Sequence, residues 1–160
     1  MRDRSAFLGR VAIALEILGS AEAAVFLAID HAVTREQFGQ AIGRFQAVRH
    51  LLAWARTDCT AVDAVAGKAL ALDVAAPARF DEVLKALAGR NAQRACQRAL
   101  QVLGGIGFTA EHDHHHHHGR VLALDGLLGA SATLTHDLGT WLRTDGGDPG
   151  FTTAMLGLPA

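Results

Sequence analysis

The sequence predicts an all-α fold, an antiparallel four-helix bundle, from three observations. Apolar residues recur in steps of three and four over long stretches, which is the spacing of one helix face. Half of the residues are hydrophobic, Ala and Leu dominate, and there is no Tyr, a composition that favours helix over sheet. Prolines stand only at 77, 149 and 159, so the long apolar stretches run without interruption. A chain of 160 residues is one domain's worth. A domain of that size buries roughly 70% of the surface its unfolded chain exposes, enough for a true core.

The first helix is expected over residues 5–33, where Phe7, Leu8, Val11, Leu15, Leu18, Ala21, Val25, Phe26 and Ile29 recur at helical spacing. Alanines fill its other faces, so it is apolar nearly all round and is expected to be buried or to pack against a partner chain. Gly19 costs about 1 kcal/mol relative to Ala in mid-helix, and close helix–helix packing is a reason to keep it. Thr34 to Gly43 is a polar break. A second helix follows over 44–72, with the stripe Phe45, Val48, Leu52, Ala55, Cys59, Val62, Ala66 and Ala69. Asp73 to Arg79 is a connection in which Pro77 stops the helix.

A third helix is expected over 80–103. Asp81 and Glu82 suit its first turn, where the helix dipole favours negative charge, and Arg90, Arg94 and Arg98 form a basic stripe read as a solvated or interface face. Gly104, Gly105 and Gly107 end it. A fourth helix is expected from His112 to about Leu128, then a last helical stretch from Gly129 to Leu142, and a loop over Arg143 to Gly150. The helical domain is thus read as residues 1–142 and the remainder, 143–160, as loop and tail.

With 15 basic and 16 acidic residues the chain has no basic field to attract nucleic acid. Arg10, Glu16 and Glu22 interrupt the first apolar stretch, so neither a signal peptide nor a membrane span is expected, and the location expected is cytoplasmic. Cys59 and Cys96 lie in helix-like stretches and read as small apolar core residues.

Two motifs carry chemistry. Arg35-Glu36-Gln37-Phe38-Gly39, with Phe45-Gln46 beyond it, offers a guanidinium that suits a diphosphate bidentately. Gln101 to Gly105 offers an amide beside bare backbone that a ligand can approach closely. Together, in this order and spacing, they resemble the C-terminal helical domain of the acyl-CoA dehydrogenase family, over residues 5–142. The resemblance implies that Arg35 and Gln37 lie on the diphosphate side of an FAD held by a neighbouring subunit, with Phe38 packing nearby and Gln46 as a further contact. It also implies that Gln101, Gly104 and Gly105 lie against the adenine and ribose end.

The family's base for α-proton abstraction is a glutamate. Counted from the glycine motif its place holds Leu128; counted from Arg35, the alternative place used by some members holds Gly9. Neither is a carboxylate, and Glu16 and Asp125 are the nearest alternatives. The run His114–His118 contains an i, i+4 pair that could ligate a transition metal, with Glu111 one turn before. Consecutive histidines point to different faces, so a native metal site is not expected, and because the resemblance runs through this segment it is read as part of the helix. A di-metal bundle needs a Glu-x-x-His pair on each of two helices, and here only Glu111 with His114 fits.

The resemblance covers one third of the family's architecture and omits the domains that hold the flavin ring. It therefore implies a domain that contributes to an FAD site and to oligomerisation, as a homo-oligomer or with a catalytic family subunit, and acts on acyl-CoA thioesters only through the assembly. The alternative expectation is a non-catalytic helical module that partners such a subunit.

Overall fold

In the computed structural model, described over residues 4–72 and 76–144, the chain is all-α, with one short hairpin. The helices are α1 (Arg4–Thr34), α2 (Gln46–Leu72), α3 (Phe80–Leu103), α4 (His114–Asp125) and α5 (Ser131–Thr144). Strands β1 (Glu36–Gln37) and β2 (Gln40–Ala41) lie between α1 and α2. The tail expected over 143–160 falls outside the described residues from 145 onward, as do residues 73–75 of the α2–α3 connection.

α3 is the central element: all four other helices pack on it. Its closest partner is α1, and small side chains make that approach possible. Ala14, Ala21, Ala24 and Ala28 of α1, with Ala88, Ala92, Ala95 and Ala99 of α3, are all essentially inaccessible to solvent. Large side chains fill the remainder, with Ile17, Val62, Phe80, Leu84 and Val121 fully enclosed. Cys59 and Cys96 join this core as free thiols, as their helical placement implied. Burial pushes their thiols up to about 11 and about 12, which leaves them unreactive.

The arrangement departs from four equivalent long helices. α4 has 12 residues against 31 in α1, and α5 is a separate helix laid on α3. α4 ends at Asp125 and not near Leu128. By length and composition α1 could also cross a membrane, despite its interior charges. Those charges are paired within the fold: Glu16 with Arg120 of α4, and Glu22 with Arg56 of α2, each at 2.7 Å. One face of α1 forms the core here.

The basic stripe on α3, expected as a solvated or interface face, is turned in part onto α2. Arg94 and Arg98 both engage Asp58 of α2, which is only 5% exposed, and Arg98 also lies over the Trp54 ring. A buried carboxylate needs such partners, and two guanidiniums supply them. Only Arg90 of the three is exposed as expected.

Candidate functional site

Both sequence motifs lie at one end of the molecule. Ala28 and Ala32 at the end of α1, Ala99, Val102 and Leu103 at the end of α3, Ile42 just before α2, and Val48, Leu51 and Leu52 at the start of α2 form one apolar cluster. The polar break between α1 and α2 is a hairpin in which Glu36 pairs with Ala41 and Gln37 with Gln40. Its turn residues, Phe38 and Gly39, have φ of 52° and 77°. Two positive φ values match the twist of the flanking strands, and Gly39 adopts its value freely. Phe38 does not, and its ring stands 93% exposed at the tip, edge-on to Phe45 at 6.1 Å.

The backbone of Arg35 is fixed and its side chain is not. Its amide donates to the His31 carbonyl and its carbonyl accepts from the Ile42 amide, each at 2.8 Å. Its guanidinium is exposed and has no ion-pair partner among the described residues. Gln37 is exposed and donates to the Glu36 carbonyl at 2.7 Å. Gln46 is exposed as the first residue of α2, and Gln101 is exposed in the last turn of α3.

Gly104 ends α3 with φ of 63°, its amide donating to the Leu100 carbonyl. Gly105 has open space where a Cβ would stand, so the backbone there is approachable from outside. Gly107 differs: it is buried against Leu100 and Leu103 and serves packing. The sequence reading missed His31 and His112, which are electrostatic neighbours. Burial, then His112 and Arg35, hold His31 below its usual range, so it adds no charge beside Arg35 near neutral pH.

The two positions that the resemblance implies for a base, 128 and 9, meet at the opposite end of α1. Leu128 Cδ1 lies 2.7 Å from the point where a Cβ on Gly9 would stand. Leu128 has φ of 53° and is followed by Gly129 at 110°. Arg10 donates from Nε to the Leu128 carbonyl at 3.0 Å and from Nη1 to Asp81 at 2.8 Å. From α3, Lys85 Nζ donates to the carbonyls of Asp125 (2.9 Å) and Gly129 (3.1 Å), with its side chain entirely enclosed.

Neither alternative carboxylate is free. Asp125 accepts from the Ser131 amide (3.2 Å), Ser131 Oγ (3.0 Å) and Gln93 (3.1 Å), and lies 3.5 Å from Lys85 Nζ. Glu16 is held by Arg120. Sequence reasoning did not find Lys85, Arg10 or Gly89. Lys85 had a signal, as the single charge within Val83–Ala88, whereas Gly89 looked like an ordinary mid-helix glycine. Its missing Cβ leaves room for the Asp125 carboxylate.

The histidine run is part of α4. His114 is buried, its Nε2 sits 3.0 Å from the Cys96 carbonyl, and its ring stands edge-on to His118 at 5.6 Å. His112 Nδ1 accepts the His114 amide at 3.2 Å and so caps the start of the helix.

Comparison with known proteins bears on the family and the fold. The model of the acyl-CoA dehydrogenase C-terminal domain matches residues 5–142. The chain is 37% identical over 147 residues to acyl-CoA dehydrogenase FadE34 of Mycobacterium tuberculosis, covering 88% of this chain and 19% of that protein. Its fold superposes on the butyryl-CoA dehydrogenase of Megasphaera elsdenii with a TM-score of 0.80 and 26% identity, over 86% of this chain and 37% of that one. A steroid acyl-CoA dehydrogenase described as Tcur3481-Tcur3483 gives a TM-score of 0.80 at 26% identity, over 87% of this chain and 39% of that one. The chain belongs to the acyl-CoA dehydrogenase family, as its C-terminal helical domain. It spans about a fifth of FadE34 and under two fifths of these structural neighbours.

Proposed function

We propose that this chain is the FAD-contacting helical part of an acyl-CoA dehydrogenase assembly, and that it does not desaturate acyl-CoA by itself. The observation that carries this reading is the convergence of Arg35, Gln37, Phe38 and Gln46 with Gln101, Gly104 and Gly105 at one end of the bundle. The residues there fit such a cofactor. An exposed guanidinium suits the diphosphate, the Gln101 amide suits a ribose or adenine edge, and Gly104 and Gly105 leave backbone bare for close approach. FAD, when bound, supplies the hydride acceptor; the chain's own residues bind and orient it.

Distance favours a shared site. α1 carries Gly9 near one end and leads into Arg35 at the other, a span of roughly 35–40 Å at the helical rise. A single dinucleotide does not reach from Arg35 to residue 128 of the same chain, so the cofactor end serves an active site completed by another subunit.

At the other end Leu128, at the position that the resemblance implies for the family base, packs over Gly9. General-base catalysis contributes roughly 10²–10⁴-fold, so a site without it turns over little. This favours a second reading within the assembly, a non-catalytic subunit whose partner brings the glutamate. The two-protein composition in the name of the steroid dehydrogenase relative is consistent with such pairing. The test is dye reduction by the purified chain with FAD and a panel of acyl-CoAs. No turnover is expected alone; robust turnover would contradict the reading.

A further inference from the structure

The geometry assigns Lys85 as the positioning residue of the α4–α5 turn: its enclosed ammonium holds residue 128 in the left-handed conformation and thereby aims that side chain onto Gly9. This rests on reading position 128 as the family's base position, and it adds the device that orients whatever stands there. Four observations carry it.

Lys85 is fully enclosed and donates to two backbone carbonyls, those of Asp125 and Gly129, which bracket the turn. The first belongs to the last residue of α4 and the second to the turn beyond it, where helix geometry supplies no intrahelical donors. The captured segment contains Leu128 at φ 53°, a conformation that a leucine adopts only when its surroundings impose it. Asp125, which neutralises the ammonium, fits against α3 because Gly89 has no Cβ, and it also fixes the start of α5 through the Ser131 amide and hydroxyl. Lys85, Gly89 and Asp125 thus lock the turn from inside, while Arg10 holds the Leu128 carbonyl from outside.

A distance-sensitive readout separates positioning from general support. In a Gly9→Cys/Leu128→Cys version of the full chain, the effective molarity of the new disulfide is measured against glutathione near pH 8. The native thiols, pushed up to about 11 and about 12, stay silent. The parent pair should cross-link readily. Adding Lys85→Gln should lower the effective molarity at least about tenfold, the factor equivalent to one lost charge-assisted hydrogen bond. Val62→Ala, which weakens the core elsewhere, should leave it unchanged.

Should Lys85→Gln not fold, Lys85→Met with Asp125→Asn removes the stranded carboxylate and makes the same comparison. An unchanged effective molarity in a folded Lys85 variant would overturn the role of Lys85. A parent pair that fails to cross-link would overturn the Gly9–Leu128 contact on which the role depends. Flavin binding through Arg35 is not probed by either outcome.

Discussion

Leu128 and Gly9 occupy one space: the leucine Cδ1 stands 2.7 Å from where a Cβ on Gly9 would be. The two positions that the resemblance implies for the family base, far apart in sequence, are neighbours in this chain, and an apolar side chain lies between them. A carboxylate at 128 faces a residue without a side chain, whereas one at 9 must first displace Leu128.

That relationship predicts coupled stabilities. Gly9→Ala gains about 1 kcal/mol of helix propensity but meets Leu128, and overpacking typically costs about 1–3 kcal/mol. Alone it should be neutral to destabilising. In a Leu128→Ala background the propensity gain should appear, giving a coupling of about 1–3 kcal/mol. Urea denaturation of the four proteins in the cycle checks this; strict additivity would mean that the two side chains do not meet.

Gly89→Ala should be far more damaging. A Cβ there runs into Asp125 Oδ1 and lies 2.9 Å from Ser131 Cβ, so the carboxylate must leave Lys85 and Ser131. Stranding an enclosed ammonium costs about 3–5 kcal/mol. Gly67→Ala on α2, where nothing stands nearby, should instead stabilise slightly. Thermal unfolding of the two variants should give shifts of opposite sign.

Stability should fall on acidification. Burial, opposed by the bond to the Cys96 carbonyl and followed by the charges of His118, His112 and His117, holds His114 below its usual range. Burial lowers His118 too, and burial with His112 and Arg35 lowers His31. The folded state therefore binds these protons more weakly than the unfolded chain. Their contribution is complete above the unfolded value of about 6.5 and is lost as pH falls below it. The melting temperature should drop between about pH 7.5 and about pH 5.5, and His114→Leu should flatten the slope. A flat profile in the parent would show that the ring is not desolvated in solution.

What the sequence made legible follows from where each determinant lies. α1, α2 and α3 could be read within a residue or two because their apolar steps are local and the Gly104 stop is local. The end of α4 could not: it is set by Lys85 on another helix, a pairing across 40 residues. The hairpin at 36–41 was hidden because a phenylalanine takes a positive φ that only Gly39 advertised. Arg94 and Arg98 looked like a surface stripe because their partner, Asp58, lies on a different helix. The motif residues around Arg35 and Gln101 were legible as a set. Their meeting at one end needed the α1–α3 packing.

Arg35 is expected to reach FAD from a fold that does not depend on it. The measurement is FAD affinity of the assembly formed with a catalytic family subunit, comparing Arg35→Ala with the parent and following helix content and melting temperature of each. Losing one charge-assisted contact should weaken FAD by about 1.5–3 kcal/mol, roughly 10- to 150-fold, with folding unchanged because the exposed guanidinium supports nothing else among the described residues. An affinity equal to that of the parent would remove Arg35 from the cofactor site.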